Sequence, residues 1–282
     1  MDKIEELVKG TYIVAVSGGV DSVVLLDLLS KQANLKLIVA HFDHGIRENS
    51  ATDSQFVQKL AKSLNLQFEL GSAKLGKNAS EEQARDARYK FLNKARDKYQ
   101  AEQIITAHHS DDIVETIIIN LIRGTGWRGL SSLRSTKKIL RPLLGYTKSD
   151  IKEYAKSHNL SWVEDSTNQD LRYLRNEIRQ KLVTKMNTKQ REQFLGLYQS
   201  QRSLMDQIDA HTTEINTDRR HDLIMWPQEV SIEVLRSQLK ITRPQARRVL
   251  MAIKTARPGT EMEITKEKSL LFTDKTVSTV VK

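Results

Sequence analysis

Tyr12-Ile13-Val14-Ala15-Val16-Ser17-Gly18-Gly19-Val20-Asp21-Ser22-Val23-Val24-Leu25-Leu26 is the stretch whose reading decides the fold. Five apolar or β-prone residues, a Ser-Gly-Gly turn and a second apolar run predict a buried strand, a tight loop and a helix. Two adjacent glycines let the backbone turn sharply and approach a ligand closely, because neither carries a Cβ. The loop opens a helix, so unpaired amides and the positive end of the helix dipole face whatever sits there. Ser17 and Ser22 add hydroxyl donors, and Asp21 adds a carboxylate able to hold a metal. The stretch reads as a phosphate cradle. It is not the GxxxxGK[ST] loop, since no lysine follows Gly18-Gly19, and taken alone a Gly-Gly turn can be only a turn.

Working outward, strands and helices alternate. Leu35–Phe42 predicts a second strand, and Asn49–Asn65 a helix with Phe56, Leu60 and Leu64 on one face. Leu66–Leu70 predicts a short strand, and Ala79–Lys98 a helix opened by Ser80-Glu81-Glu82. Gln103–His108 predicts a fourth strand that runs into the helix Asp111–Arg123. This rhythm implies an α/β, Rossmann-like fold with a doubly wound parallel sheet and right-handed crossovers. Ligands in such sheets bind beyond the carboxyl ends of the strands, so the functional candidates are the residues just after them.

The remainder reads as a Gly-rich loop over Arg123–Leu130, a helix Lys148–His158, a segment Trp162–Asn168 and a helix Arg172–Lys185. A polar helical connector follows. The last stretch carries a helix around Gln245–Lys254 and strand-like segments 270–272 and 277–281, a small α/β unit. The expected division is a larger domain over 1–190 that holds the phosphate cradle, a helical connector over 191–215 and a small C-terminal domain over 216–282.

The chain has 282 residues, a formal net charge of +10 and no cysteine. That composition excludes disulfides, thiolate nucleophiles and cysteine-ligated zinc or iron–sulfur centres. No apolar run reaches membrane-spanning length and the N-terminus does not read as a signal peptide, so a cytoplasmic location is expected. Eight basic residues against two acids lie between Arg172 and Arg202, and six against none between Lys240 and Arg257. Each cluster alone reads as a solvated face; together, behind a nucleotide site, they point to a polyanionic partner such as nucleic acid.

Two constellations carry chemistry. His41-Phe42-Asp43-His44-Gly45-Ile46-Arg47 ends the second predicted strand, and Thr106-Ala107-His108-His109-Ser110-Asp111-Asp112-Ile113-Val114-Glu115-Thr116 ends the fourth. A mixed His/Asp metal site and a histidine bonded to backbone are both open readings, while lining a nucleotide and substrate pocket is the favoured one. Asp112 and Glu115 are an i, i+3 pair on one helical face. They either compensate the helix dipole or receive a positively charged group. Arg88 supplies a counterpart for a carboxylate, unless it forms a surface ion pair with Glu81 or Asp86. Acids at one end and an arginine at the other suit an amino acid such as lysine.

The string SGGVDS resembles the signature loop of the PP-loop ATP pyrophosphatases. HFDHGIR, EEQARDARYKFL, TAHHSDDIVET, RGTGWRGL, RPLL and DSTNQDLRYLRNEIR, in this order over about residues 12–182, resemble the tRNA(Ile)-lysidine synthetase family. The resemblance implies ATP-dependent adenylation of carbon 2 of the wobble cytidine in the CAU anticodon of tRNA(Ile). Attack by the ε-amine of L-lysine would follow, releasing AMP and switching codon reading from AUG to AUA. It also implies that Ser17, Gly18, Gly19, Val20, Asp21 and Ser22 hold pyrophosphate, with Asp21 positioning Mg²⁺. His41, Asp43 and His44 would line the adenylate pocket, and His108 would stand near the phosphates. Asp112, Glu115 and Arg88 would hold lysine. Arg123, Gly124, Gly126 and Arg128 would approach the target base, and Arg175, Asn176 and Arg179 would contact nucleotide or tRNA. A homodimer is compatible with this reading but not required by it.

Three rivals stand beside it. Thiolating tRNA enzymes share the loop but need cysteines. NAD and GMP synthetases share it too, but their small substrates leave the basic clusters unexplained. A non-enzymatic RNA-binding protein accounts for the charge but not for Asp21, Asp112 and Glu115.

Overall fold

The computed structural model describes residues 4–45, 50–73, 76, 80–164, 173–215, 217–265 and 268–281. Ile46 and Arg47 of the first histidine motif, and the 165–172 part of the DSTNQDLR segment, lie outside them.

Five strands form one parallel sheet: β1 (Gly10–Ala15), β2 (Leu35–Asp43), β3 (Gln67–Ser72), β4 (Gln103–Ile105) and β5 (Ile139–Leu140), in the order β3-β2-β1-β4-β5. The helices between them are α1 (Val20–Ser30), α2 (Ser50–Ser63), α3 (Glu81–Lys98) and α4 (Ser110–Ile122), followed by α5 (Lys148–Ser157). The register explains why the strands read as near-continuous apolar runs. Ile13 lies beside Ile38 and Ile104, and Val14 beside Val39 and Ile105. Successive side chains alternate faces. Val14, Val39 and Ile105 pack with Leu25 and Leu29 of α1 and Ile151 and Tyr154 of α5. Ile13, Ile38 and Ile104 pack with Leu92 and Ala95 of α3. Both faces are thus covered, which a parallel sheet requires. Each fully buried Ile, Leu or Val contributes about 1.5–3 kcal/mol over leaving it exposed.

The ladder of β4 stops at Ile105, whereas the sequence suggests a strand to His108. Thr106 continues it by one bond, its amide donating to the Leu140 carbonyl at 3.0 Å. The chain then turns into α4, because the Asp112 carboxylate accepts the His109 amide at 2.9 Å and fixes the helix start. The order of strands reverses between β1 and β4, so the loops leaving these two strands face one crevice.

Two more helices complete this part: α6 (Leu174–Lys181) and α7 (Thr188–Glu214). Ile178, Val183, Phe194 and Leu195 form an apolar cluster with Val114 and Ile118 of α4. The chain divides into two compact units between Gln201 and Arg202, within α7. The second unit contains α8 (Arg220–Met225), α9 (Gln228–Leu239) and α10 (Arg243–Thr255), then β6 (Glu261–Thr265), β7 (Lys268–Phe272) and β8 (Val277–Val281). These strands form a separate antiparallel sheet in the order β6-β7-β8. Ile232, Leu235, Val249, Ile253, Leu270 and Phe272 form its core. A Thr242 capping box and Pro244 in the first turn start α10 two residues earlier than the apolar pattern alone suggests. No helix among the described residues is long and apolar enough to cross a membrane.

Candidate functional site

The loop after β1 is closed by its own hydroxyls. Ser22 Oγ accepts the amides of Ser17 and Gly18, each at 3.2 Å, and donates to the Gly19 carbonyl at 2.9 Å. Ser17 Oγ lies 3.3 Å from Ser22 Oγ. Gly18 has φ +94°, a conformation that side chains disfavour, and a Cβ there would stand 3.3 Å from Val57. Gly18 also anchors the chain after α5, its carbonyl accepting the Val163 amide at 2.9 Å. Gly19 is the N-cap of α1, and Val20, the first helical residue, is buried.

Asp21 follows in the first turn of α1. Both its carboxylate oxygens bond Lys148 Nζ, at 2.6 and 2.7 Å, and Oδ1 lies 3.9 Å from His109 Nε2. Lys148 carries no local signal in the sequence, and His109 stands out there only as a member of the Thr106–Thr116 constellation. Lys148 is the first residue of α5, whose start is set by a Thr147–Asp150 capping box.

His41 is buried within β2, and its Nδ1 lies 2.8 Å from the Val16 carbonyl. A carbonyl only accepts, so Nδ1 carries the proton and the ring is tied to the strand just before the Ser-Gly-Gly loop. Asp43 ends the same strand, and its Oδ1 accepts the Gly45 amide at 2.8 Å. His44 packs edge-on against Phe42 at 4.9 Å between ring centroids. Among the described residues, no three His, Asp or Glu side chains gather where they could hold a metal.

Around the start of α4 the charges interlock. Glu115 is fully buried, and Arg179 grips it with Nε at 2.5 Å from Oε1 and Nη2 at 2.9 Å from Oε2. The same Nη2 reaches Asp112 Oδ1 at 3.3 Å. Arg175 Nε lies 3.6 Å from Glu115 Oε2, while its Nη1 reaches Glu81 and its Nη2 reaches Thr116 Oγ1. Burial raises the Glu115 carboxyl above its ordinary range despite Arg179. Burial works the same way on Asp112, but the His109 and His108 rings, the His109 amide and Arg179 outweigh it and hold that carboxyl low. His108 bonds Thr106 Oγ1 through Nδ1 at 2.8 Å. Burial chiefly, with Arg141, Arg88 and Arg175 pushing the same way against Asp112, lowers the His108 imidazole to about 3.

Asp21, His108, Asp112, Glu115, Arg175 and Arg179 are therefore brought to one neighbourhood. Arg88, half-buried on α3, sits over the Tyr89 ring at 5.6 Å and forms no ion pair with Glu81 or Asp86 among the described residues. Its field acts on His108. Asn176 lies on α6 between the two arginines that flank Glu115. Arg123 and Arg128 lie at the other end of α4; Arg123 is about 17 Å along the helix axis from Asp112 at 1.5 Å per residue. Arg128 stacks on Trp127, its guanidinium 4.6 Å from the ring centroid.

The model of a family described as PP-loop domain matches residues 1–186. Over 184 residues, 62% of this chain, the sequence is 40% identical to the tRNA(Ile)-lysidine synthase of Thermotoga maritima, 44% of which is covered. Over 189 residues, 63% of this chain, it is 38% identical to the tRNA(Ile)-lysidine synthase of Anaplasma marginale, 41% of which is covered. The chain thus spans less than half the length of the curated relatives it matches. Among solved structures, the U34-tRNA thiolase NcsA from Methanococcus maripaludis, with its iron–sulfur cluster, superposes with a TM-score of 0.55 at 17% identity. That match covers 72% of this chain and 74% of the other, and is a likeness of fold.

Proposed function

This chain belongs to the PP-loop domain family, and from that premise we propose that it makes lysidine at the wobble cytidine of a tRNA(Ile) bearing a CAU anticodon. The observation that carries the reading is the acid pair at the start of α4. Asp112 and Glu115 hold a cation, Arg179, 2.5–3.3 Å away, and connect through His109 to Asp21 of the Ser-Gly-Gly loop. A site that joins a phosphate cradle to a cation receptor suits a reaction that consumes ATP and takes up an amino acid by its ammonium group.

In this reading the cytidine carbonyl oxygen attacks the α-phosphorus of ATP and pyrophosphate leaves. The lysine ε-ammonium then gives up a proton to solvent, the free amine attacks carbon 2, and AMP departs in place of a poor oxygen leaving group. Ser17, Gly18, Gly19 and Ser22 supply amides and hydroxyls to the departing pyrophosphate. Mg²⁺, arriving with ATP, would neutralise phosphate charge. Asp21 would hold such an ion in exchange for Lys148, which now takes both its carboxylate oxygens, since magnesium bound to nucleotide takes only one or two protein carboxylates beside phosphate oxygens and water. Asp112 and Glu115 orient the lysine amine with carboxylate oxygens that Arg179 now holds, and Arg88 faces its carboxylate. His108 stays neutral and so does not repel the incoming ammonium. His41, Asp43 and His44 line the nucleotide side. Arg123, Arg128, Arg175 and Asn176 meet the tRNA, as do basic residues of the second unit, and the reaction takes place in the cytoplasm.

The absence of cysteine speaks against thiolation, although the fold likeness is to a thiolase. Release of pyrophosphate from ATP, followed with and without tRNA, tests the reading. Release that requires the CAU-bearing tRNA(Ile) supports it; release driven by a small amide acceptor without RNA contradicts it.

A further inference from the structure

Arg141 directly follows β5, and it is only 7% exposed. Its amide donates to Ser135 Oγ at 3.0 Å, and its guanidinium donates from Nη1 to the Arg134 carbonyl. Nε is buried without a hydrogen-bond partner, and no carboxylate among the described residues pairs with the group. A guanidinium keeps its proton at any working pH, so Arg141 is a permanent charge removed from water with one carbonyl as its partner. Buried charges are ordinarily paired, because their desolvation is costly otherwise.

Its position shows what would pair it. The ladder sets Ile105 beside Leu140, and the Thr106 amide continues onto the Leu140 carbonyl. Arg141 therefore stands opposite Thr106, whose hydroxyl bonds His108, at the carboxyl edge of the sheet. Two further polar atoms, His109 Nδ1 and Ser110 Oγ, are buried without partners where α4 begins, in side chains 4% and 3% exposed. The buried guanidinium after β5 and the Ser110 hydroxyl and helix start after β4 thus follow neighbouring parallel strands at the same edge of the sheet.

We propose that Arg141 is an anion-binding residue that receives a phosphate oxyanion at the carboxyl edge of β4 and β5. The inference rests on the reading of this site as nucleotide-binding. The phosphate comes either from the triphosphate of ATP or from the tRNA strand, and the two sources separate in the test.

The full chain is compared with Arg141→Met, which keeps length without charge, and Arg141→Lys, which keeps charge without the planar fork. Thermal midpoints and affinities for ATP, pyrophosphate and a tRNA(Ile) transcript are measured. Arg141→Met is expected to melt no lower than wild type while binding ATP and pyrophosphate at least tenfold more weakly, with Arg141→Lys between them. A tenfold loss confined to tRNA assigns the phosphate to the RNA strand. A lowered midpoint with all affinities unchanged makes Arg141 a strut for the Arg134 carbonyl and overturns the proposal. Should Arg141→Met not fold, Arg141→Lys decides: wild-type affinities in a folded protein overturn the assignment, and weakened ones support it. A wild type that binds neither ATP nor pyrophosphate defeats the nucleotide reading, and the tRNA arm then judges Arg141 alone.

Discussion

Lys148 Nζ lies 2.6 and 2.7 Å from the two carboxylate oxygens of Asp21, joining the first residue of α5 to the first turn of α1. Both side chains are partly exposed, at 34% and 28%, so the pair contributes at most about 1 kcal/mol to stability. Under the proposed function Lys148, paired with Asp21 two residues after the Gly-Gly turn, also meets the departing pyrophosphate. Lys148→Met should change the unfolding free energy by less than about 1 kcal/mol. It should slow tRNA-dependent pyrophosphate release by about tenfold or more, equivalent to about 1.4 kcal/mol of barrier. Denaturant titration and a coupled pyrophosphate assay check the two halves, and unchanged turnover would remove Lys148 from the site.

The Glu115–Arg179 pair behaves differently, because Glu115 is fully buried. Removing one partner of a buried pair costs about 3–5 kcal/mol. Arg179 keeps about a third of its side chain exposed, so Arg179→Ala should fall at the lower end. The pH dependence carries the sign. Glu115 is already raised by burial above its ordinary 4.5, and losing Arg179 raises it further. A carboxyl raised in the fold holds its proton where the unfolded chain has released it, so stability falls as pH rises above 4.5. Urea midpoints of Arg179→Ala should decline over that range more steeply than wild type, and Glu115→Gln in the same background should flatten the decline.

Asp112→Asn keeps the shape of the helix start while removing the charge proposed to orient lysine. Lysine transfer should fall by about tenfold or more, near 1.4 kcal/mol, while adenylation of tRNA persists. Quenched single-turnover reactions separate the steps by counting adenylated tRNA. Equal loss of both steps would take lysine orientation away from Asp112.

His108 supplies a second pH signature. Its imidazole, near 3 in the fold, stays unprotonated where the unfolded chain, with an ordinary value of 6.5, takes up a proton. The associated stability is complete above 6.5 and is lost as pH falls from 6.5 towards 3. His108→Gln should reduce the slope of unfolding free energy across that window, and an unchanged slope would contradict the neutral, buried ring.

Much of this was legible in local pattern. The run Tyr12–Val16 and the Ser-Gly-Gly turn announce β1, the loop and α1 because apolar periodicity and glycine are local signals. The bond of His41 to the Val16 carbonyl was one of three readings of the histidines, beside a metal site and the favoured pocket lining. β5 was hidden because it has only two residues, Ile139 and Leu140, between Lys137-Lys138 and Arg141-Pro142. In the second unit, α9 escaped notice because its buried residues Ser231–Leu235 are consecutive rather than spaced at a helical period, and β6 because it is five residues long with Glu261 and Glu263 exposed between its half-buried positions. Charge pairing was the least legible feature. Arg179 meets Glu115 across 64 positions and Lys148 meets Asp21 across 127, and no local spacing encodes such partners.

Nucleoside analysis of the product tests the central claim most directly. A tRNA(Ile) transcript with a CAU anticodon is incubated with the protein, ATP, Mg²⁺ and labelled L-lysine, digested, and its wobble nucleoside identified by mass and label, with a methionine tRNA transcript alongside. The account predicts a labelled lysine adduct of cytidine at the wobble position of the isoleucine transcript alone. An unmodified cytidine from protein that is folded and binds both ATP and tRNA would contradict it.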